Sequence, residues 1–205
     1  MDRKAHWQGV HESRQEAELS WFQEHPETSV SLIGRAGFGQ AARIVDVGGG
    51  ASRLVDHLLD AGHGCVTVLD IADAAIAKAR ARLGDRAEKV AWVAADVTRW
   101  TPESPFDIWH DRAVFHFLTE APDRKAYTAG MAAAVRPGGQ AIVATFALDG
   151  PEKCSGLPVR RYDAEGLAAE FAPRFRVVES FSEGHVTPGG KVQRFLFCRM
   201  VRDTL

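Results

Sequence analysis

Short apolar runs rich in β-branched residues alternate with longer segments of mixed polarity along most of the chain. "AARIVDVG" is nearly continuous in apolar residues, the pattern of a strand buried on both faces. Residues 52–61 then read as a helix stopped by Gly62. "GCVTVLD" is a second strand, and "ADAAIAKARARLG" a helix on propensity alone, closed by Gly84. "KVAWVAAD" and "FDIWHD" are the third and fourth strands. "PDRKAYTAGMAAAV" predicts a helix with Asp123 as its cap, ended by Pro137 and the glycines after it. "QAIVATF" is the fifth strand, and "DAEGLAAEFA" a helix capped by Asp163. "FRVVESFSEG" and "VQRFLFCRM" flank "HVTPGG", so the chain closes in an antiparallel pair.

This βα repeat predicts a doubly wound, parallel α/β sheet with a C-terminal antiparallel hairpin. Residues 1–40 differ from the rest and read as an N-terminal helical cover on the 41–205 domain, one domain in all. Within the cover, residues 11–25 place Leu19, Trp21 and Phe22 among charges, as in an amphipathic helix ending near Pro26; a second helix is expected over 29–38. Ligands of such sheets sit beyond the carboxyl ends of the strands. Here those ends carry Asp46–Gly50, Asp70, Asp96, residues 110–112, Thr145 and Phe146.

Composition narrows the partners. A net charge of -2 with 25% charged residues offers no broad basic surface for nucleic acid. No apolar run approaches the ~20 residues of a membrane span, and the polar first residues lack a signal-peptide core, so no membrane partner and a cytoplasmic location are expected. Cys65, Cys154 and Cys198 are far apart, which argues against disulfide or metal frameworks.

"IVDVGGGAS" runs a strand into three glycines, as where a backbone turns tightly beside a bound group. No Gly-Lys-Ser/Thr follows, which disfavours a nucleoside triphosphatase. The dinucleotide fingerprint is broken, with Arg53 where its third glycine would lie. Asp70, about twenty residues on, suits the ribose of NAD and of S-adenosylmethionine alike. Asp46 two residues before the glycines disfavours a pyrophosphate and suits a cofactor with an ammonium and a sulfonium.

Asp46-x-Gly48-x-Gly50-x-Ser52, Asp96 in "VAAD" and "RPGG" at 136–139 together resemble the class I S-adenosylmethionine-dependent methyltransferases over residues 42 to 146, with Ser52 in place of a frequent third glycine. The resemblance implies a Rossmann-like sheet of seven strands, the last antiparallel. It implies S-adenosylmethionine as donor, S-adenosylhomocysteine as product, and cofactor contacts from Trp21, Asp46, Gly48, Gly49, Gly50, Asp70, Ile71, Asp96, Val97 and Asp111.

"FDIWHDRAVFHFL", "GLPVRRYDAEGLAAEF" and the aromatic N-terminal segment "HWQGVH…ELSWFQEHP" resemble the thiopurine S-methyltransferase-like group and related thiol methyltransferases. The resemblance implies a small-molecule acceptor that is a soft nucleophile: a thiol, a thiopurine-like heterocycle or a chalcogen compound. A thiolate needs little base and is favoured by a nearby cation, for which Arg112 is the candidate. A hydroxyl or amine acceptor wants a base, for which His110 and His116 are nearest, with Asp111 beside them. Period two on the strand sends His110 to the face opposite Asp111, toward the flanking layer. Phe22, Phe115, Arg112 and Cys154 are the candidate acceptor contacts, with Trp21, Phe22 and Phe115 as an aromatic lid over the sulfonium. A protein-lysine methyltransferase of the same fold and a non-catalytic S-adenosylmethionine-binding protein are the alternatives.

Overall fold

The computed structural model describes residues 2–204. The helices are α1 (Arg3–Ser13), α2 (Glu27–Arg35), α3 (Leu54–Asp60), α4 (Asp73–Leu83), α5 (Ala121–Ala134) and α6 (Ala164–Phe171). The strands are β1 (Arg43–Val47), β2 (Cys65–Asp70), β3 (Val90–Ala94), β4 (Phe106–Arg112), β5 (Val135–Phe146), the two-residue pair β6 (Lys153–Cys154) and β7 (Leu157–Pro158), β8 (Phe175–Val186) and β9 (Val192–Arg202). Seven strands form one sheet in the order β3-β2-β1-β4-β5-β9-β8. Only β9 runs antiparallel to its neighbours. This is the α/β architecture expected, closed by the C-terminal hairpin.

The apolar strands are covered on both faces, which is why they read as continuous runs rather than alternating ones. On one face Ile44, Ile108 and Ile142 pack with Leu32 and Ile33 of α2 and Leu54 and Leu58 of α3. On the other, Val45, Trp109 and Val143 pack with Tyr127 and Met131 of α5 and Leu167 and Phe171 of α6. Two predicted boundaries hold by their own chemistry. Asp163 accepts the Gly166 amide at 2.8 Å and caps α6. Gly62, at φ +87°, follows α3 and lets His63 N–H close back on the Leu58 carbonyl at 3.0 Å.

Three boundaries differ. The first helix is not 11–25 but α1, started by Asp2, whose carboxylate accepts the Lys4 and Ala5 amides. Residues after Ser13 form a short 3₁₀ turn over Glu16–Glu18 and then a non-helical strap to Pro26, because Leu19 and Trp21 point into the body at a spacing that a 3.6-residue repeat does not supply. Residues 3–35 are therefore helix, strap and helix. Asp123 does not cap α5: Glu120 occupies that position, and Asp123 lies in the first turn. "RPGG" lies inside β5 rather than before it, at an irregularity where Val135 already pairs with Phe106.

Candidate functional site

The carboxyl ends of β3, β2, β1, β4 and β5 and the amino end of β9 stand side by side at one edge of the sheet, and one cavity runs along them. β1 places Asp46 there, in register with His110 of β4. Asp46 Oδ1 lies 2.7 Å from His110 Nδ1, and Oδ2 is buried with no partner. A lone buried carboxylate oxygen at a cavity wall fits an ammonium group.

The glycine loop follows. Gly48 lines the cavity at φ +70°, and a Cβ there would overlap the Val114 side chain. Gly49 and Gly50 do not line it. They sit against carboxylates instead: a Cβ on Gly49 would overlap Asp46, and Gly50 donates its N–H to Asp70 Oδ2 at 3.0 Å. Asp70 Oδ1 accepts the Ala72 amide at 2.8 Å. Two backbone donors leave each oxygen with lone-pair capacity for a diol. Ile71 lines the cavity beside it, and Asp96 and Val97 line it at the end of β3. Asp96 Oδ1 takes both the amide and the hydroxyl of Thr98, leaving Oδ2 only a distant approach from Arg3 at 3.9 Å.

Burial raises the Asp70 carboxyl from 3.8 to about 6, against the pull of its backbone donors. A ribose hydroxyl donates to the ionised form, so affinity for an adenosine-bearing cofactor is expected to be flat above pH 6 and to fall as pH drops through it. The sign for the free protein is opposite. The raised value stabilises the fold fully below pH 3.8, and that contribution is lost as pH rises through about 6. Titration calorimetry and urea unfolding across this range check the two directions.

β4 divides the predicted acceptor residues between faces. Ile108, His110 and Arg112 point one way, Trp109 and Asp111 the other. Arg112 lines the cavity. Its Nη1 donates to the Trp21 carbonyl at 2.9 Å, its guanidinium lies 4.5 Å from the Phe195 ring centroid, and Nε and Nη2 are buried without partners. Burial lowers it to about 10, with Glu183 and Cys154 pulling the other way, so it stays cationic at neutral pH. Cys154 also lines the cavity, and burial raises its thiol despite Ser20, Ser155 and Arg112. It stands there as a neutral thiol.

Asp111 is outside the cavity. Its carboxylate is taken by the Tyr127 hydroxyl at 2.5 Å and by the Val114 and Phe115 amides at 2.7 and 3.0 Å. It fixes the turn after β4 rather than facing a ligand. Tyr127 in turn accepts the Trp109 indole N–H at 2.9 Å. Tyr127→Phe is therefore expected to cost about 1–3 kcal/mol of stability by stranding two buried polar groups, measured as a lower urea midpoint. Phe115 belongs to the same side, packed among Tyr127, Tyr162 and Phe171. His116 is fully buried, accepts the Phe146 amide on Nδ1, and is pushed to about 3 by burial and by Arg112. It is outside the cavity wall and does not serve as a base there. The period-two reading placed His110 opposite Asp111 correctly, but that face is the one the cavity occupies.

Trp21 and Phe22 line the cavity from the strap. Phe22 stacks with Arg53, 5.9 Å away, and Trp21 meets Trp7 edge-on at 5.7 Å. Trp7 of the aromatic N-terminal segment and Phe146 at the end of β5 line the cavity, and so do His11 of α1, Ser29 of α2 and Phe195, which the sequence does not single out. The i, i+4 spacing of Trp7 and His11 is the one local signal for them. His11 is lowered to about 4 by burial and by Lys78, and is neutral. α1 is docked by Lys4–Asp73 at 2.8 Å and by the Ala74 amide on Gln8 at 3.1 Å. No helix of the described residues is long and apolar enough to cross a membrane.

Residues 44–139 match the family described as methyltransferase domain. No curated protein matches the chain. Among solved structures, the chain is similar to 1,6-didemethyltoxoflavin-N1-methyltransferase of Burkholderia thailandensis, solved with 1,6-didemethyltoxoflavin and S-adenosylhomocysteine: 25% identity, TM-score 0.70, 87% of this chain and 77% of that one. It is similar to the N-methyltransferase NodS of Bradyrhizobium japonicum WM9, solved with S-adenosylhomocysteine: 16% identity, TM-score 0.73, 98% and 99% covered. A structure described by the conversion of a disulfide bond into a thioacetal group during echinomycin biosynthesis matches with 20% identity, TM-score 0.76, 96% and 90% covered.

Proposed function

We propose that this chain, an S-adenosylmethionine-dependent methyltransferase on a class I fold, methylates a small soft nucleophile held in its ionised form: a thiolate, a thiopurine-like heterocycle or a chalcogen anion. The observation that carries this reading is Arg112, a buried cation with two N–H donors unspent at the cavity wall.

The order of strands sets the layout. Neighbouring strands are about 4.8 Å apart, so Asp96 just past β3, Asp70 on β2 and Asp46 on β1 span roughly 10 Å. Along that line Asp96 and Val97 take the adenine, Asp70 the ribose hydroxyls, and the unpartnered oxygen of Asp46 the ammonium. β4, β5 and β9 continue the edge and bring Arg112, Phe146 and Phe195 to the acceptor side. When bound, the cofactor supplies an electrophilic methyl on a sulfonium, displaced in line. Arg112 holds the acceptor ionised against the kind of burial that raises the Cys154 thiol. Trp21, Phe195 and the strap exclude water and fix the approach.

The structure with disulfide-to-thioacetal chemistry agrees with a sulfur acceptor. The two N-methyltransferases favour a second reading, a ring or amine nitrogen of a small molecule. Incubation with methyl-labelled S-adenosylmethionine and a panel of small thiols, selenols and heterocyclic amines tests both. Label on thiols supports the proposal, label on amines alone supports the second, and label only in protein bands of a lysate overturns both in favour of a protein-lysine acceptor.

A further inference from the structure

His110, which the donor-binding layout does not use, sits in a chain of three polar groups along the cavity wall. Its Nδ1 is 2.7 Å from Asp46 Oδ1, and its Nε2 is 2.9 Å from the Ser29 hydroxyl. All three residues are buried, and all three line the cavity. They come from three elements: β1, β4 and α2. A carboxylate only accepts hydrogen bonds, so Nδ1 carries the imidazole proton and Nε2 accepts from Ser29 Oγ–H. That is the arrangement by which a hydroxyl is given a base behind it and the base is oriented by an acid.

We infer that Ser29 and His110, oriented by Asp46, form a relay that takes the proton from the methyl acceptor. The inference rests on the acceptor reading above. The acceptor S–H donates its proton to Ser29 Oγ as the Ser29 hydroxyl proton moves to His110 Nε2. The sulfur keeps the electron pair that forms the new bond to the methyl carbon, the methyl–sulfonium bond breaks with its pair passing to the departing thioether, and the proton ends on an imidazolium facing Asp46. Overall, one proton leaves the acceptor and one is stored on His110, to be lost to solvent after turnover. Arg112 is two residues along the same strand face, about 7 Å from His110, and its free N–H groups are available to the anion that the relay leaves behind. The acceptor thus enters protonated and neutral. That removes the desolvation cost of carrying an anion into a buried cavity.

Acceptors of different acidity test this. Ser29→Ala removes one oxygen and leaves the packing, and His110→Gln removes the base. Each is assayed with mercaptoethanol, protonated at neutral pH, and with nitrothiophenol, already ionised there, beside calorimetry with S-adenosylhomocysteine. The relay predicts that kcat falls about 100-fold or more with mercaptoethanol and about tenfold or less with nitrothiophenol, in both variants, with product affinity within about threefold. Equal losses with the two thiols, or no loss, overturn the relay while leaving the acceptor reading intact. Wild-type protein that methylates neither thiol overturns the acceptor reading itself.

Discussion

Arg112→Lys is expected to leave affinity for S-adenosylmethionine within about threefold of wild type and to lower kcat/KM for a thiol acceptor by about 10- to 150-fold, the worth of a buried charged hydrogen bond. The guanidinium serves two directions at once. Nη1 holds the Trp21 carbonyl of the strap, while Nε and Nη2 remain for the acceptor. A lysine ammonium is a single point of charge, cannot reach both, and loses the stack on Phe195. Steady-state kinetics with calorimetry on the same protein separates the two effects. Unchanged turnover would make Arg112 a strap anchor only.

Asp70→Ala is expected to weaken S-adenosylmethionine binding by about 1–3 kcal/mol, roughly 5- to 150-fold in Kd, through loss of the diol acceptor. It also strands the Gly50 and Ala72 amides that the carboxylate now accepts, so the glycine loop loosens. Asp70→Asn keeps an oxygen for one amide and is expected to fall between. Calorimetry across the two variants reads this order, and wild-type affinity in Asp70→Ala would remove the residue from the cofactor site.

The proposed donor half of the cavity is legible in the sequence because its residues are close to the features that place them. Asp46, Asp70 and Asp96 each lie within two residues of the end of a strand whose apolar run is unmistakable, and the parallel order brings strand ends together. The acceptor half was less so. Asp111 and Arg112 are neighbours in sequence and were grouped on that ground, yet the pleat sends them to opposite faces of the sheet. The same pleat puts His110 beside Asp46, a pairing that requires knowing β1 and β4 are adjacent and in what register. From sequence the strap reads as helix because Leu19, Trp21 and Phe22 lie among charges. What holds it is contact with distant elements: Arg112 on the Trp21 carbonyl, His185 on the Ser20 carbonyl at 2.8 Å, and His57 on the Glu24 carbonyl at 3.0 Å. Those partners lie 33 to 165 residues away along the chain, beyond any local pattern.

A crystal structure of the protein with S-adenosylhomocysteine would show directly which residues hold the donor and where its sulfur points. The expected result is the amino group on Asp46, the ribose hydroxyls on Asp70, and the sulfur turned toward Arg112 and Phe195, with the free Nε and Nη2 facing the vacated methyl position. A sulfur that points away from β4 and β9, or a ribose held elsewhere than Asp70, would contradict it.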